Sequence, residues 1–396
     1  MEFSKGTLST VRNVNRVNIL EFIKRSEPTS RAAIARHLKM SRSNVSEIVD
    51  GLVHEGLVAE VGSGTSTPLG GRKPVHLQFV ASAKYSLGVD IGATKTIAVV
   101  TDLRGNVVAR TKFASHAEGV SPFVHIASQV SEFLTRHGID RSKVVGTGIG
   151  VPGITNYATG ELIHAPGLHL NEANARGFFS SYLPEPVFVD NDVNMGVVGE
   201  RWQGNAVNYE DVVLITIGTG IGAGLILNGQ VHRGANGFAG EIGYFQVDPL
   251  HDSPQATLSE FGPLESLASG QGIERQVLAL LPEYTDSLLT RETISTQTVF
   301  QAAASGDALA RRVIDNAVRY LSFSIANLVM MIDPSLILIG GGVSQAGEQF
   351  LDDIRVRVAR LTPMPFKIES AGLGEDAGAY GGAATALMAT DNLRLF

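Results

Sequence analysis

Three glycine turns and one acidic cluster hold the residues best suited to chemistry. Residues 90–95 read Asp-Ile-Gly-Ala-Thr-Lys between two apolar runs. Glycine lets a backbone approach a ligand closely, and the neighbouring Thr94 hydroxyl and Lys95 ammonium suit phosphate oxygens. A strand-like run followed by glycines recurs at residues 212–222, where Gly218-Thr219-Gly220-Ile221-Gly222 closes VVLITI, and again at residues 336–342, ending in Gly340-Gly341-Gly342. Each alone reads equally as an ordinary polar turn. Together they point to a nucleotide-type cleft between two lobes. A dinucleotide fingerprint is the rival at residues 218–224, but it requires a helix directly after the glycines, and a second apolar run stands there instead.

The acidic cluster is Asp190-Asn191-Asp192-Val193-Asn194, at the end of the apolar run 187–189. Proteins of the α/β class place ligands at strand ends. Asp and Asn together match a sugar, whose hydroxyls both donate and accept hydrogen bonds. The same residue types cap helices, so a cap for the helix that follows is the competing reading.

The elements that must position these groups can be read from periodicity. Residues 85–101 form a hairpin around the first glycine turn. Residues 123–137 have helical spacing, residues 144–151 read as a buried strand ending in Pro152-Gly153, and residues 193–202 read as a helix. A second hairpin spans residues 212–227, and residues 377–390 form a helix rich in small residues. Strand and helix patterns alternate from residue 85 onward, as in an α/β domain.

The first 80 residues differ. Val11, Val14, Val17, Leu20 and Ile23 follow helical spacing, and Pro28 stops the helix. Thr29-Ser30 can cap a second helix over residues 31–38, and Ser41 a third over residues 42–55 with Val45, Ile48, Val49 and Leu52 facing inward. Two short helices joined by a tight turn fit a helix-turn-helix. The first turn of the third helix offers Arg42, Ser43, Asn44 and Ser46, residue types that contact base edges and phosphates. Residues 56–61 and 75–80 can pair as a wing. Between them, GSGTSTPLGGRKP carries Arg72 and Lys73, an extended basic segment able to lie in a narrow minor groove.

Charge agrees with this division. Residues 1–80 hold 11 Lys+Arg against 7 Asp+Glu, a balance of +4, and the remainder holds 21 against 32, a balance of −11. A basic head on an acidic body suggests a polyanion partner for the head alone. The 396 residues contain no cysteine, which excludes disulfides and thiolate zinc sites. No run is apolar enough for a membrane helix and no secretory leader is apparent, which points to the cytoplasm. The domains are expected at residues 1–80, at 81–195 together with 377–396, and at 196–376.

In order and spacing, these motifs resemble the ROK family (repressors, open reading frames, kinases) of the actin-like sugar-kinase superfamily, over nearly the whole chain. Within it, the nearest type is the xylose-repressor and N-acetylglucosamine-repressor type. The resemblance implies a two-lobed, actin-like (RNase H-like) α/β fold behind a winged helix-turn-helix, with the C-terminal helix packed back on the first lobe. It implies that Asp192 matches the general base of the kinases and that Asn191 binds the sugar. Residues 240–244 match the family's Glu-x-Gly-His signature, with Glu241 kept and Tyr244 in place of the histidine that binds sugar and ligates a structural zinc. The family's Cys-rich zinc loop is replaced by residues 245–263, which hold only His251, so no zinc or other metal is expected. Glu265 falls on a sugar-binding glutamate. Asp90, Gly92, Thr94 and Lys95 match the first phosphate turn, with Ala93 for a glycine. Gly218, Thr219, Gly220 and Gly222 match the second phosphate turn, and Gly341 and Gly342 the adenosine turn.

Two functions follow from the resemblance. One is a sugar-responsive repressor that binds a palindromic operator as a homodimer or homotetramer and is released by a small carbohydrate between the lobes, with no cofactor required. The other is a sugar kinase using ATP and Mg²⁺ that carries an added DNA-binding domain. The basic head favours the first; Asp192 with its glycine turns keeps the second open.

Overall fold

Serines start two of the three helices of the head. The computed structural model describes residues 8–63, 75–165, 168, 170–247, 261–343 and 347–390. Its first elements are α1 (Leu8–Ser26), α2 (Arg31–His37) and α3 (Arg42–His54). The Ser30 and Ser41 hydroxyls accept from the N–H groups of Ala33 and Asn44, each at 3.3 Å, satisfying donors that a helix start leaves open. The inner face of α3 is buried in one apolar cluster with Ile19, Leu20, Ile23 and Ile34. Strands β1 (Val58–Ser63) and β2 (Val75–Phe79) pair antiparallel as the wing. Arg72 and Lys73 lie outside the described residues.

The first lobe is a five-stranded sheet. Its hairpin is β3 (Tyr85–Ile91) and β4 (Lys95–Asp102), extended by β5 (Val107–Ala114). After α4 (Pro122–Arg136) comes β6 (Val144–Val151), parallel to β3. A small antiparallel sheet follows, β7 (Ile154–Asn156), β8 (Glu161–Ala165) and β9 (Leu170–Asn174), then α5 (Ala175–Ser180). Strand β10 (Val187–Asn191) joins β6 in parallel and runs directly into α6 (Asp192–Gln203).

The second lobe is built around β11 (Val212–Ile217), β12 (Ile221–Leu227) and β13 (Gln230–Val231). Helices α7 (Pro263–Ala268), α8 (Gly270–Leu280), α9 (Thr296–Ala304) and α10 (Ala308–Ile332) cover the sheet. Then β14 (Leu336–Gly340), α11 (Glu348–Leu361) and β15 (Ile368–Ser370) complete the order β13-β12-β11-β14-β15. The chain returns to the first lobe in α12 (Ala377–Met388), which packs on β3, β6 and α6. The small residues of α12 have a packing cause. A Cβ on Gly381 would lie 1.6 Å from the Met195 carbonyl oxygen, and one on Gly88 would lie 1.8 Å from that of Ala379, so backbone meets backbone there.

Head and first lobe share a core. Leu103, Val198, Trp202, Ala383 and Leu387 belong to the same apolar cluster as Ile19 and Leu77. Arg104, in the turn after β4, pairs with Glu27 of the head and lies 5.3 Å over the Phe79 ring. Glu27 also accepts the Phe79 N–H at 2.5 Å. The last residue of α6, Gln203, donates to the Arg104 carbonyl at 2.8 Å.

Candidate functional site

A cleft of about 900 Å³ lies between the lobes. Strand ends and helix starts bring the separate motifs together there. Asp90, Gly92, Thr94 and Lys95 come from the β3–β4 turn, and Asn191 and Asp192 from the β10–α6 junction. Gly218, Thr219, Gly220 and Gly222 come from the β11–β12 turn, and Gly341 and Gly342 from the end of β14. Glu241, Tyr244 and Glu265 close the second-lobe side. Gly341 adopts φ +84°, and a Cβ there would stand 2.5 Å from the Ile217 carbonyl oxygen, so the turn requires glycine.

Asn191 is the N-cap of α6. Its Oδ1 accepts from the N–H groups of Val193 at 2.9 Å and Asn194 at 3.1 Å, and its Nδ2 donates to the Gly153 carbonyl at 3.0 Å. The capping role weighed from sequence is therefore real for Asn191, and it fixes Asp192 at the mouth of the helix inside the cleft. Asp190, next to it, is buried. It accepts from Asn194 Nδ2 at 3.1 Å and pairs with Arg233 of the second lobe at 2.7 Å. The Arg233 guanidinium lies 3.7 Å over the Tyr157 ring of the first lobe, tying the lobes across the cleft.

Glu265 is held by backbone. Its Oε1 accepts the Ile221 N–H at 2.8 Å, and its Oε2 the Gly262 N–H at 3.3 Å. It braces the second glycine turn, where a Cβ on Gly220 would stand 2.2 Å from that Oε1.

The carboxyls of the cleft are buried, and burial raises their proton affinities. Burial pushes Asp90 up to about 8, aided by the negative Asp192 and opposed by Lys95. Burial pushes Asp192 up to about 6, against the pull of its hydrogen bonds. Glu241 is pushed up to about 7 by burial and by Asp192 and Glu265. Burial also raises Glu265 and Tyr244. Near neutral pH such groups can both donate and accept, as sugar hydroxyls do. Asp192 could equally take a proton from a hydroxyl, the act of a general base.

The surroundings of Lys95, beside the first glycine turn, are different. Lys95 and Lys112 each reach Glu375 Oε2 at 2.7 Å, and Arg110 reaches Glu375 Oε1 at 2.9 Å. Arg110 also holds Asp376 at 2.7 Å. Hydrogen bonds from Lys112 and Lys95 hold Glu375 down to about 2.

In the head, Arg42 and Ser43 are exposed on the first turn of α3, while Asn44 and Ser46 are half-buried. The nearby arginines Arg12, Arg16 and Arg31 are engaged with Glu47, Glu55, and both Asp50 and Glu60. Sequence reasoning missed Arg233, Arg110, Lys112, Glu375 and the Glu27–Arg104 joint. Their partners lie far along the chain, so local spacing carried no signal. His251 lies outside the described residues. Among the described residues no group of three or more His, Asp or Glu could hold a metal, and no helix is long and apolar enough to cross a membrane.

Known proteins match this layout. The ROK family profile matches residues 86–389, and a MarR family profile matches residues 13–66. The xylose repressor of Bacillus spizizenii is 29% identical over 379 residues, covering 94% of each chain. A glucokinase of Halalkalibacterium halodurans is 34% identical over 314 residues, covering 76% of this chain and 94% of its own. The crystal structure of a ROK family transcriptional regulator, a homologue of the E. coli MLC protein, superposes with a TM-score of 0.80 at 26% identity, covering 97% of this chain and 98% of that one. The helix-turn-helix head and the actin-like body are thus those of known folds.

Proposed function

This chain belongs to the ROK family, and from that premise we propose that it is a sugar-responsive transcriptional repressor. The head binds a palindromic operator, and a small neutral carbohydrate in the cleft releases it. One observation carries the reading: α6 starts at Asp192 in the cleft and ends at Gln203, which is hydrogen-bonded to the Arg104 turn that grips the head. A ligand that moves the start of α6 therefore acts on the seat of the DNA-binding domain. The full-length likeness to a xylose repressor supports the same reading.

In this reading Arg42, Ser43, Asn44 and Ser46 contact DNA from α3, and Arg72 with Lys73 adds contacts from the wing. Asp192, Glu241 and Tyr244 meet the sugar; Asn191 and Glu265 hold the frame around it. Exposed Phe323, Met330 and Met331 on α10 supply an apolar surface for a second copy. The protein acts in the cytoplasm. The donor set does not fit the family's zinc, since Tyr244 stands for the histidine ligand and no cysteine exists. Metal analysis of protein purified without added zinc should find well under one equivalent per chain; a tightly held stoichiometric zinc would contradict this.

A sugar-kinase reading is favoured by one observation, the raised proton affinity of Asp192 beside the glycine turns. The test is a thermal-shift screen over xylose, glucose, glucosamine derivatives and disaccharides, followed by operator retardation with each stabilising sugar. Stabilisation with release of DNA supports the repressor. A stabilising sugar that leaves DNA bound contradicts it.

A further inference from the structure

We propose that Glu375 is a built-in occupant of the cleft's phosphate subsite, which leaves the cleft able to take neutral sugars and closed to phosphorylated ligands. Lys95 lines the cleft beside the first glycine turn, and two further cations, Lys112 and Arg110, stand behind it outside the cleft lining. In the β4–β5 ladder Lys95 lies opposite Ala114, Ile97 opposite Lys112, and Val99 opposite Arg110. Side chains two apart along a strand share a face, so Lys95, Lys112 and Arg110 stand on one side of the sheet, beside the first glycine turn. Of the three, Lys95 is the cation that a phosphate seated on Gly92 and Thr94 would meet in the cleft, with Lys112 and Arg110 adding charge from behind.

Glu375 already has them. Its two oxygens take Lys95, Lys112 and Arg110 within 2.9 Å, and Arg110 also clamps the adjoining Asp376. The plug is carried on residues 374–376, where Gly374 takes φ +56° and leads directly into α12. Gly374 and Glu375 both line the cleft. Three cations against two carboxylates leave one net positive charge, too little for a pyrophosphate group of two or more negative charges that would also meet Glu375 itself. Protonation cannot relieve the block near neutral pH, because the cations hold Glu375 at about 2. These side chains are 35–48% exposed, so salt weakens both the plug and any competing ligand.

The test is calorimetric titration of pyrophosphate and of ADP into the full-length wild type, Glu375→Ala and Glu375→Gln, at low and at moderate salt. The wild type should bind pyrophosphate more weakly than about 1 mM. Each variant should bind at least about ten-fold tighter, with the gain shrinking as salt rises and disappearing when Lys95→Met is added. The glutamine variant keeps the shape if the alanine variant fails to fold. Micromolar pyrophosphate binding by the wild type overturns the proposal, as does an unchanged affinity in a folded variant. No DNA enters the measurement, so its failure leaves the repressor reading standing; a repressor reading lost because no sugar releases the operator leaves this result standing, whereas ATP turnover by the wild type would overturn both.

Discussion

On one side of the cleft Asp90, Asp192, Glu241 and Glu265 are buried, which lifts the proton affinity of each, and negative neighbours lift Asp90 and Glu241 further. On the other side Glu375 meets Lys95 at the cleft and Lys112 and Arg110 behind it, and Glu375 is held at about 2. The residue types are the same, and their proton affinities are pushed in opposite directions, up at Asp90, Asp192, Glu241 and Glu265 and down at Glu375. The first side is poised for a partner made of hydroxyls, which can satisfy a carboxyl in either protonation state. The second has its ionic partner already, supplied by the chain. In the reading proposed above, a site laid out like a kinase serves as a sugar sensor because Glu375 neutralises the cation at its first glycine turn.

The largest effect should come from the side with the raised carboxyls. Asp192→Asn removes a charged acceptor and keeps its shape, which should cost about 1.5–3 kcal/mol of sugar affinity, roughly ten- to a hundred-fold. Operator binding should persist and become constitutive. Calorimetry and gel retardation of the same preparation check this; a sugar affinity within two-fold of wild type would show that Asp192 is only part of the α6 start. Next in size is the joint below the cleft. Arg104→Ala removes the pair with Glu27 and the contact with Phe79. The sugar concentration that releases DNA should rise about five-fold or more, the lower end of ordinary coupling energies. Sugar affinity itself, measured without DNA, should stay close to wild type. If release is unchanged, the head is not controlled through this contact.

Two smaller effects remain. Replacing Arg72 and Lys73 together with Ala should weaken operator binding and make the slope of log affinity on log salt shallower by up to about two, since up to two phosphate contacts are lost. A slope equal to wild type would make the tract a linker. The last concerns pH. Asp90, Asp192 and Glu241 have folded values of about 8, 6 and 7, above those of unfolded carboxyls. The folded form binds the extra protons, so the stabilisation is full at acidic pH and is lost as pH rises toward 8. Asp90→Asn should flatten the fall between pH 6 and 8 by on the order of 1–2 kcal/mol, read from denaturant unfolding at stepped pH. A curve parallel to wild type would mean that Asp90 is ionised throughout.

Local pattern made much of this molecule legible. The inner face of α3, the strand at residues 144–151 and both glycine hairpins have strong periodicity or clear turn chemistry, and they fold where those signals lie. The sheet β7–β9 was missed because its strands are three to five residues long with little alternation. The cleft's charge pattern was invisible for another reason. Lys95 and Glu375 are 280 residues apart, and only the return of the chain through β15 into α12 brings them together. Asn191 illustrates a further limit. A residue type that suits both a cap and a sugar cannot be assigned until the backbone donors around it are counted.

The central claim is that a neutral sugar alone switches the head. The direct test is release of operator DNA by the sugar that stabilises the purified wild type, titrated with and without ATP and Mg²⁺ while ATP consumption is followed. The account predicts identical release curves and no sugar-dependent ATP turnover. Release that requires ATP, or vigorous sugar-dependent turnover abolished by Asp192→Asn, would contradict it and establish a kinase.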